Sequence, residues 1–174
     1  MTSSPVRDTT HGVRRANRPI TVWARRAMLL FLALLVATGL STFLGVHSSE
    51  SSTESDGYRL DLVYPRVARP GLDAPWQVTV SHPGGFVRGQ LTLAVSGDYF
   101  NLFETQGFRP SPSDETRDGD TYYLTFTAPP GDTFRLYFDA YIQPASQAGR
   151  SGWVAVIDQG HVVARTDFST WLWP

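Results

Sequence analysis

The chain has 174 residues, a formal net charge of -1 at pH 7 and no cysteine. The lack of cysteine excludes a disulfide framework and a thiolate metal site, and the balanced charge does not indicate a nucleic-acid partner. Charge is unevenly distributed, however, because the first 26 residues carry six arginines and a single acid. This asymmetry suggests that the N-terminal segment has an environment of its own.

Residues 27–46 (AMLLFLALLVATGLSTFLGV) form an uncharged apolar run. A helix of that length measures about 30 Å, the thickness of the hydrocarbon core of a bilayer. The arginines before the run predict a cytoplasmic tail at 1–26, with Trp23 at the interface and the rest of the chain outside the cell membrane. A cleaved signal sequence is the alternative, although the long apolar run and the lack of a clear A-x-A site favour an uncleaved single-pass anchor.

Small side chains recur every fourth residue along this predicted helix. Ala33, Ala37, Ser41 and Gly45 therefore share one face, where a second helix could approach closely. The alternative is chance, because small residues are common in membrane spans. The ladder leads us to expect a helix-packing surface.

Residues 47–57 (HSSESSTESDG) are polar and have almost nothing to bury, which predicts a flexible linker. Residues 58–174 are predicted to form one extracytoplasmic domain, because their length suits a single compact unit. The apolar pattern of this part alternates with a period of two, as in half-buried strands. The strands predicted in this way are 58–64, 76–81, 91–95, 122–126 and 134–142, with a final hairpin formed by 153–158 and 161–168.

Two segments between the predicted strands and the pairing of the final hairpin allow more specific predictions. Residues 98–104 fit either a helical turn or a short strand, and 109–120 read as a polar loop. In the final hairpin a two-residue turn at Gln159 and Gly160 predicts three apolar pairs on one face. Those pairs are Ile157 with Val162, Ala155 with Ala164, and Trp153 with Thr166.

About seven short strands with turn signals between them are typical of a β-sandwich. The strand Tyr122, Leu124, Phe126, the turn APPGDT and the strand Phe134, Leu136, Phe138 lead to the terminal hairpin. In this pattern the domain resembles cysteine-free bacterial immunoglobulin-like domains. The whole chain, with its arginines and no lysine, resembles single-pass envelope proteins of GC-rich Gram-positive bacteria. The resemblance implies an immunoglobulin-like sandwich behind one N-terminal transmembrane helix, and no functional residues.

No residue pattern in the chain indicates catalysis. The four histidines fall in tail, linker and turn positions without a second ligand at metal spacing, and no nucleophile elbow is present. Acidic residues cluster at 114–120, but their rhythm differs from that of the twelve-residue calcium loop, so a solvated loop is the default and weak calcium binding the alternative. We therefore expect a protein that is not an enzyme and has no metal and no cofactor.

Aromatic side chains are the remaining functional candidates. Tyr137 and Tyr141 are predicted on the outer face of their strand, joined by Tyr123 from a neighbouring strand, while Trp171 and Trp173 close the chain. Exposed aromatics mark protein interfaces or sugar-stacking platforms. The alternative, which is favoured for the Trp pair, is that both tryptophans complete the core, and for the tyrosines it is that the loop 109–120 covers them. The favoured function is a non-catalytic accessory subunit of a membrane or envelope complex. The alternative is a module that binds cell-wall glycan.

Overall fold

A computed structural model describes residues 19–40, 45–86, 89–104, 107–128 and 130–173 of the chain. The chain divides into two compact units, Met1–Leu44 and Gly45–Pro174. The described part of the first unit is one helix, and the second unit holds the strands.

Helix α1 spans Pro19–Leu40 and begins with proline, which is favoured at the first helical position because its fixed φ suits a helix. Residues Ile20–Leu40 are long and apolar enough to cross a membrane. The helix starts eight residues before the predicted span, so part of the predicted tail is helical. The predicted end at Val46 is wrong, because Val46 packs against the core of the second unit.

The second unit is built mainly from strands. In chain order they are β1 His47–Ser55, β2 Tyr58–Ala68, β3 Asp73–Ser81, β4 Gln90–Ser96, β5 Phe108–Arg109, β6 Asp114–Asp118, β7 Thr121–Thr127, β8 Thr133–Tyr141, β9 Arg150–Asp158 and β10 His161–Leu172. A helical turn, α2, spans Gly97–Phe100 between β4 and β5. The described residues therefore contain ten strands, where the sequence predicted about seven.

The strands join into one curled sheet in the order β5-β8-β3-β2-β10-β9-β4-β7-β6, and β1 pairs with β2 off this path. Neighbours are antiparallel except β2 and β10, which run parallel where Trp171 faces Val67 and Leu172 faces Ala68. The curl brings together strands that lie far apart in this order. For example, the ring centroids of Phe126 in β7 and Phe134 in β8 are 5.0 Å apart.

Strand β1 corrects the prediction of a flexible linker at 47–57. It pairs antiparallel with β2 from His47 to Ser55, although its side chains are mostly serine and acid. The backbone hydrogen bonds of β2 hold it in place, and Ser51 adds a 2.5 Å hydrogen bond to the buried Thr166. An edge strand of this kind needs little apolar burial, so alternation cannot reveal it.

The two segments between β4 and β7 are more ordered than the sequence indicated. Of the two alternatives for 98–104, the helical turn is confirmed at its start: α2 carries Tyr99 into the core, and Leu102 and Phe103 follow it there. The predicted polar loop at 109–120 instead contains β6, whose five residues are all exposed and pair with β7.

A β-bulge between Val162 and Ala164 changes the predicted register of the final hairpin. Ile157 faces Val162 as predicted, but Ala155 faces Arg165 and Trp153 faces Asp167. The extra residue shifts every later pair by one position, which exchanges the two faces of β10 relative to the prediction.

The core lies inside the curl and is rich in aromatic rings. Trp76 packs edge-on against Phe100, Phe108 and Phe138, with centroids 5.3 to 6.3 Å apart. Tyr99 similarly packs against Phe168 at 4.6 Å. These contacts tie α2 to both β9–β10 and β3–β8, so the short helix closes one side of the core.

Candidate interaction surface

Two tryptophans at the C-terminal end of β10, Trp171 within the strand and Trp173 just after it, are exposed to solvent. Phe168, Thr170 and Leu172 point into the core, so the alternating Trp171 and Trp173 point outward with exposures of 55% and 48%. Their rings meet edge to face, 5.1 Å between centroids. The Trp173 amide donates a 2.9 Å hydrogen bond to the Ala68 carbonyl, which fixes the backbone that carries the pair.

The tryptophans lie at the end of the unit where the chain enters it. We call this region the entry end; its residues are 45–47, 66–72, 149–150 and 171–173. His47 and Trp171 both face Val67 in the register of their strands. Packing there is tight, because a Cβ on Gly149 would come within 2.0 Å of the Thr170 carbonyl oxygen. The entry end also exposes Leu72, Arg66 and Arg150.

Tyr137 and Tyr141 lie on the outer face of β8. Tyr137 is exposed and faces Gln77, whereas Tyr141 is half-buried and faces Asp73. Tyr137 borders a depression of about 500 Å³ along β3 and β8. The Asp139 carboxylate beside it accepts a 2.6 Å ion-pair contact from Arg109. This patch therefore combines an exposed ring with a charged pair.

Tyr123 does not join this patch, which corrects the prediction that its strand neighbours β8. It lies on β7, where it is half-buried between Ala94 and Thr116. β8 instead pairs with β3 and β5. In the strand order β3 and β2 also separate β8 from β10. The predicted aromatic surface is thus divided into the Trp pair, the β8 tyrosines and an isolated Tyr123.

Trp153 is a half-buried aromatic that was predicted to pair with Thr166 and instead faces Asp167. The Arg165 guanidinium lies 4.5 Å above its ring and also pairs with Asp167. The ring borders a depression of about 630 Å³ that Asp98 and Asp120 also line. Alternation could not reveal this position, because apolar residues lie on both faces of β9.

The acidic segment at 114–120 does not converge on one point. In β6 successive side chains alternate between faces, so Glu115 points away from Asp114 and Asp118. Arg117 between them donates hydrogen bonds to the Gly119 carbonyl and the Tyr122 hydroxyl. Among the residues that the structure describes, no group of three or more His, Asp or Glu side chains is arranged to hold a metal ion.

Hydrogen bonding and burial shift the pKa of Asp61, Tyr58 and Tyr99 in the β unit. Partial burial acts to raise the pKa of Asp61, but hydrogen bonds from Arg59 and Ser52 outweigh it and lower that pKa below its ordinary value. Burial, with the nearby Asp158 carboxylate, raises the pKa of Tyr58. Burial also raises the pKa of Tyr99 well above its ordinary value. The tyrosines therefore stay neutral and act as packing groups.

The small-residue ladder is represented by two of its four members in the helix. Ala33 and Ala37 lie four residues apart in α1, and both are exposed. Ser41 lies outside the described residues, and Gly45 belongs to the β unit and not to the helix. The described helix-packing candidates are thus Ala33 and Ala37.

Comparison of the sequence with models of known families and with curated proteins finds no match in either set.

Proposed function

We propose that this chain is a single-pass membrane protein whose β unit lies outside the cell membrane and acts as a non-catalytic interaction module. The observation that carries the proposal is helix α1: every side chain from Ile20 to Leu40 is exposed, and most of them are apolar. An apolar helix of this length is stable when lipid covers it. A bilayer is the simplest cover.

Charge supports the orientation of the proposed anchor. The six arginines of the chain's first 26 residues all lie at or before the start of the apolar stretch, and Arg59 is the next basic residue. Positive residues stay on the cytoplasmic side, so the N-terminus is cytoplasmic and the β unit is extracytoplasmic. Trp23 near the start of α1 suits the headgroup layer.

We further propose that the curled sheet is an immunoglobulin-like sandwich that serves as an accessory subunit of a membrane or envelope complex. Contacts between distant strands, such as Phe126 with Phe134, are consistent with two packed layers. Two features offer docking surfaces: the small side chains of Ala33 and Ala37, and the exposed aromatics of the β unit. Folds of this type host many functions, so the surfaces and not the fold carry this proposal.

The test is affinity purification of the full-length chain from its native membrane in mild detergent, followed by mass spectrometry. We expect a stoichiometric integral-membrane partner, and Ala37→Leu should reduce its recovery at least tenfold because the larger side chain holds the helices apart. Gly39→Leu is the matched control, since residue 39 lies about 200° around the helix from Ala37. Equal recovery with both variants would contradict a helix contact through Ala37.

The alternative function is binding of cell-wall glycan on the β8 patch. The specific observation is the exposed Tyr137 ring beside a depression of about 500 Å³, because sugar rings stack on exposed aromatics. Tyr137→Ala in the full-length chain should abolish peptidoglycan pull-down, whereas Tyr123→Ala on β7 should not. If the wild-type chain fails to sediment with peptidoglycan, the glycan function is refuted.

A further inference from the structure

The entry end of the β unit carries most of its exposed large apolar side chains. Among the described residues of the unit, the large hydrophobics with the greatest exposure are Leu72, Tyr137, Val162, Trp171 and Trp173. Leu72 and the two tryptophans all belong to the entry end. Val162 lies at the opposite end, near the start of β10.

The charged residues around these side chains are suited to a lipid surface. Arg66 and Arg150 are exposed at the entry end, and Asp73 is the exposed acid that follows Leu72. Tryptophan is enriched at membrane interfaces because its ring is apolar while its N–H seeks a polar partner. Arginine beside it can contact lipid phosphates in two-point hydrogen bonds.

A short stretch of chain joins the apolar helix to the β unit. Gly45 follows Leu40 by five Cα–Cα steps, which span at most about 18 Å when fully extended. Residues 47–55 do not lengthen this connection, because they form β1 and are paired along their whole length with β2. The unpaired chain between α1 and β1 is therefore short.

We propose that the entry end lies in the lipid headgroup layer on the extracytoplasmic side of the cell membrane. Trp171 and Trp173 insert there as interfacial anchors, and Arg66 and Arg150 contact lipid phosphates. The proposal rests on the membrane anchor proposed for α1 and adds a second, lipid-facing site on the β unit. The partner is the lipid interface itself. The β unit then stands on the membrane in one orientation, with its entry end toward the lipid and Val162 at the far end.

The natural absence of cysteine allows a direct test on the full-length chain. Leu72→Cys and Val162→Cys each give a single thiol for a nitroxide label, at the entry end and at the opposite end. The labelled protein is reconstituted into vesicles of phosphatidylcholine and phosphatidylglycerol. Electron paramagnetic resonance then compares relaxation by oxygen, which concentrates in lipid, with relaxation by a water-soluble nickel chelate.

We expect the label at residue 72 to favour oxygen over nickel by at least threefold relative to the label at residue 162. In a Trp171→Ser, Trp173→Ser background the label at residue 72 should become as accessible to nickel as the label at residue 162. An unchanged spectrum of the label at residue 162 shows that this background remains folded. The comparison of the two labels in the otherwise native chain tests the proposal even where that background does not fold.

Three results would overturn the proposal, and they differ from one another. If both labels are equally accessible to nickel while the chain resists carbonate extraction, the anchor holds and the lipid-facing site is refuted. If the label at residue 72 is shielded from oxygen and nickel alike, protein and not lipid covers the entry end. If carbonate releases the chain, the membrane anchor fails, and the proposed site fails with it.

Discussion

A buried chain of two hydrogen bonds joins α2, β10 and β2, and its central member offers the sharpest test of the fold. The Tyr99 hydroxyl donates to Thr170 Oγ1 at 2.8 Å, and the Thr170 hydroxyl donates to the Pro65 carbonyl at 2.5 Å. Tyr99 and Thr170 are 0% and 3% exposed. Thr170→Val keeps the shape of the side chain but removes both bonds.

The expected cost follows from the groups left without partners. A buried polar group that loses its hydrogen bond costs about 1–3 kcal/mol, so Thr170→Val, which orphans Tyr99 and the Pro65 carbonyl, should destabilise by about 3 kcal/mol. Tyr99→Phe removes only the first bond and should cost about 1 kcal/mol. The double variant leaves the Pro65 carbonyl alone, so we expect about 2 kcal/mol and not the sum of about 4.

The measurement is urea unfolding of the full-length chain in nonionic detergent. Unfolding is monitored by the total tryptophan fluorescence, which changes when the buried Trp76 becomes exposed. Free energies extrapolated linearly from the three variants and the wild type complete the double-mutant cycle. Additive effects would show that Tyr99 and Thr170 do not share a bond. A Thr170→Val cost below about 0.5 kcal/mol would refute the buried chain altogether.

Two further predictions concern packing and pH. Gly152→Ala places a Cβ 2.8 Å from Tyr99 Cβ, so we expect a loss of about 1–3 kcal/mol by urea unfolding, whereas the exposed neighbour Ser151→Ala should change stability by less than about 0.5 kcal/mol. Because its folded pKa lies below the unfolded value, Asp61 stabilises the fold above the unfolded pKa and loses this effect as pH falls toward the folded pKa. The unfolding midpoint of wild type should therefore fall more between about pH 6 and pH 3 than that of Asp61→Asn, and equal falls would contradict the argument.

The strands that bury apolar side chains were accessible from the sequence. Each of β2, β3, β4, β7 and β8 alternates apolar and polar residues, because one face packs into the core and the other does not. The final hairpin was accessible for the same reason, together with its turn at Gln159 and Gly160. These elements contain most of the core, so the mainly β character followed from pattern alone.

The strands at the margins of the sheet were not accessible. Sequences such as HSSESSTES in β1 and DETRD in β6 bury little and have no apolar alternation. They are strands because a neighbouring strand offers unpaired backbone N–H and C=O groups, and this property belongs to the assembled sheet. Polar side chains on an edge strand also discourage pairing between molecules. The polar composition that makes these strands hard to predict therefore also protects the sheet from aggregation.

The candidate surface depends on which strands are neighbours, and sequence patterns do not give that order. Tyr123 and Tyr137 were expected on neighbouring strands, yet five strands lie between β8 and β7 in the order of the sheet. Trp153 was predicted to pair with Thr166, but a single bulge residue in β10 makes Asp167 its partner. Beyond the bulge, buried and exposed residues alternate regularly along β10, and Trp171 and Trp173 occupy exposed positions.

The pairing of β1 with β2 shortens the unpaired chain between the two proposed surfaces, the helix face at Ala37 and the entry end. A flexible linker would let the β unit move independently of its anchor, so contacts in the membrane and contacts outside it would form separately. With β1 paired from His47 onward, at most about 18 Å of chain separates Leu40 from Gly45. If one partner contacts both Ala37 and the β unit, each contact raises the effective concentration of the other. The tryptophans would then restrict the orientation in which the β unit meets such a partner, which lowers the entropic cost of docking.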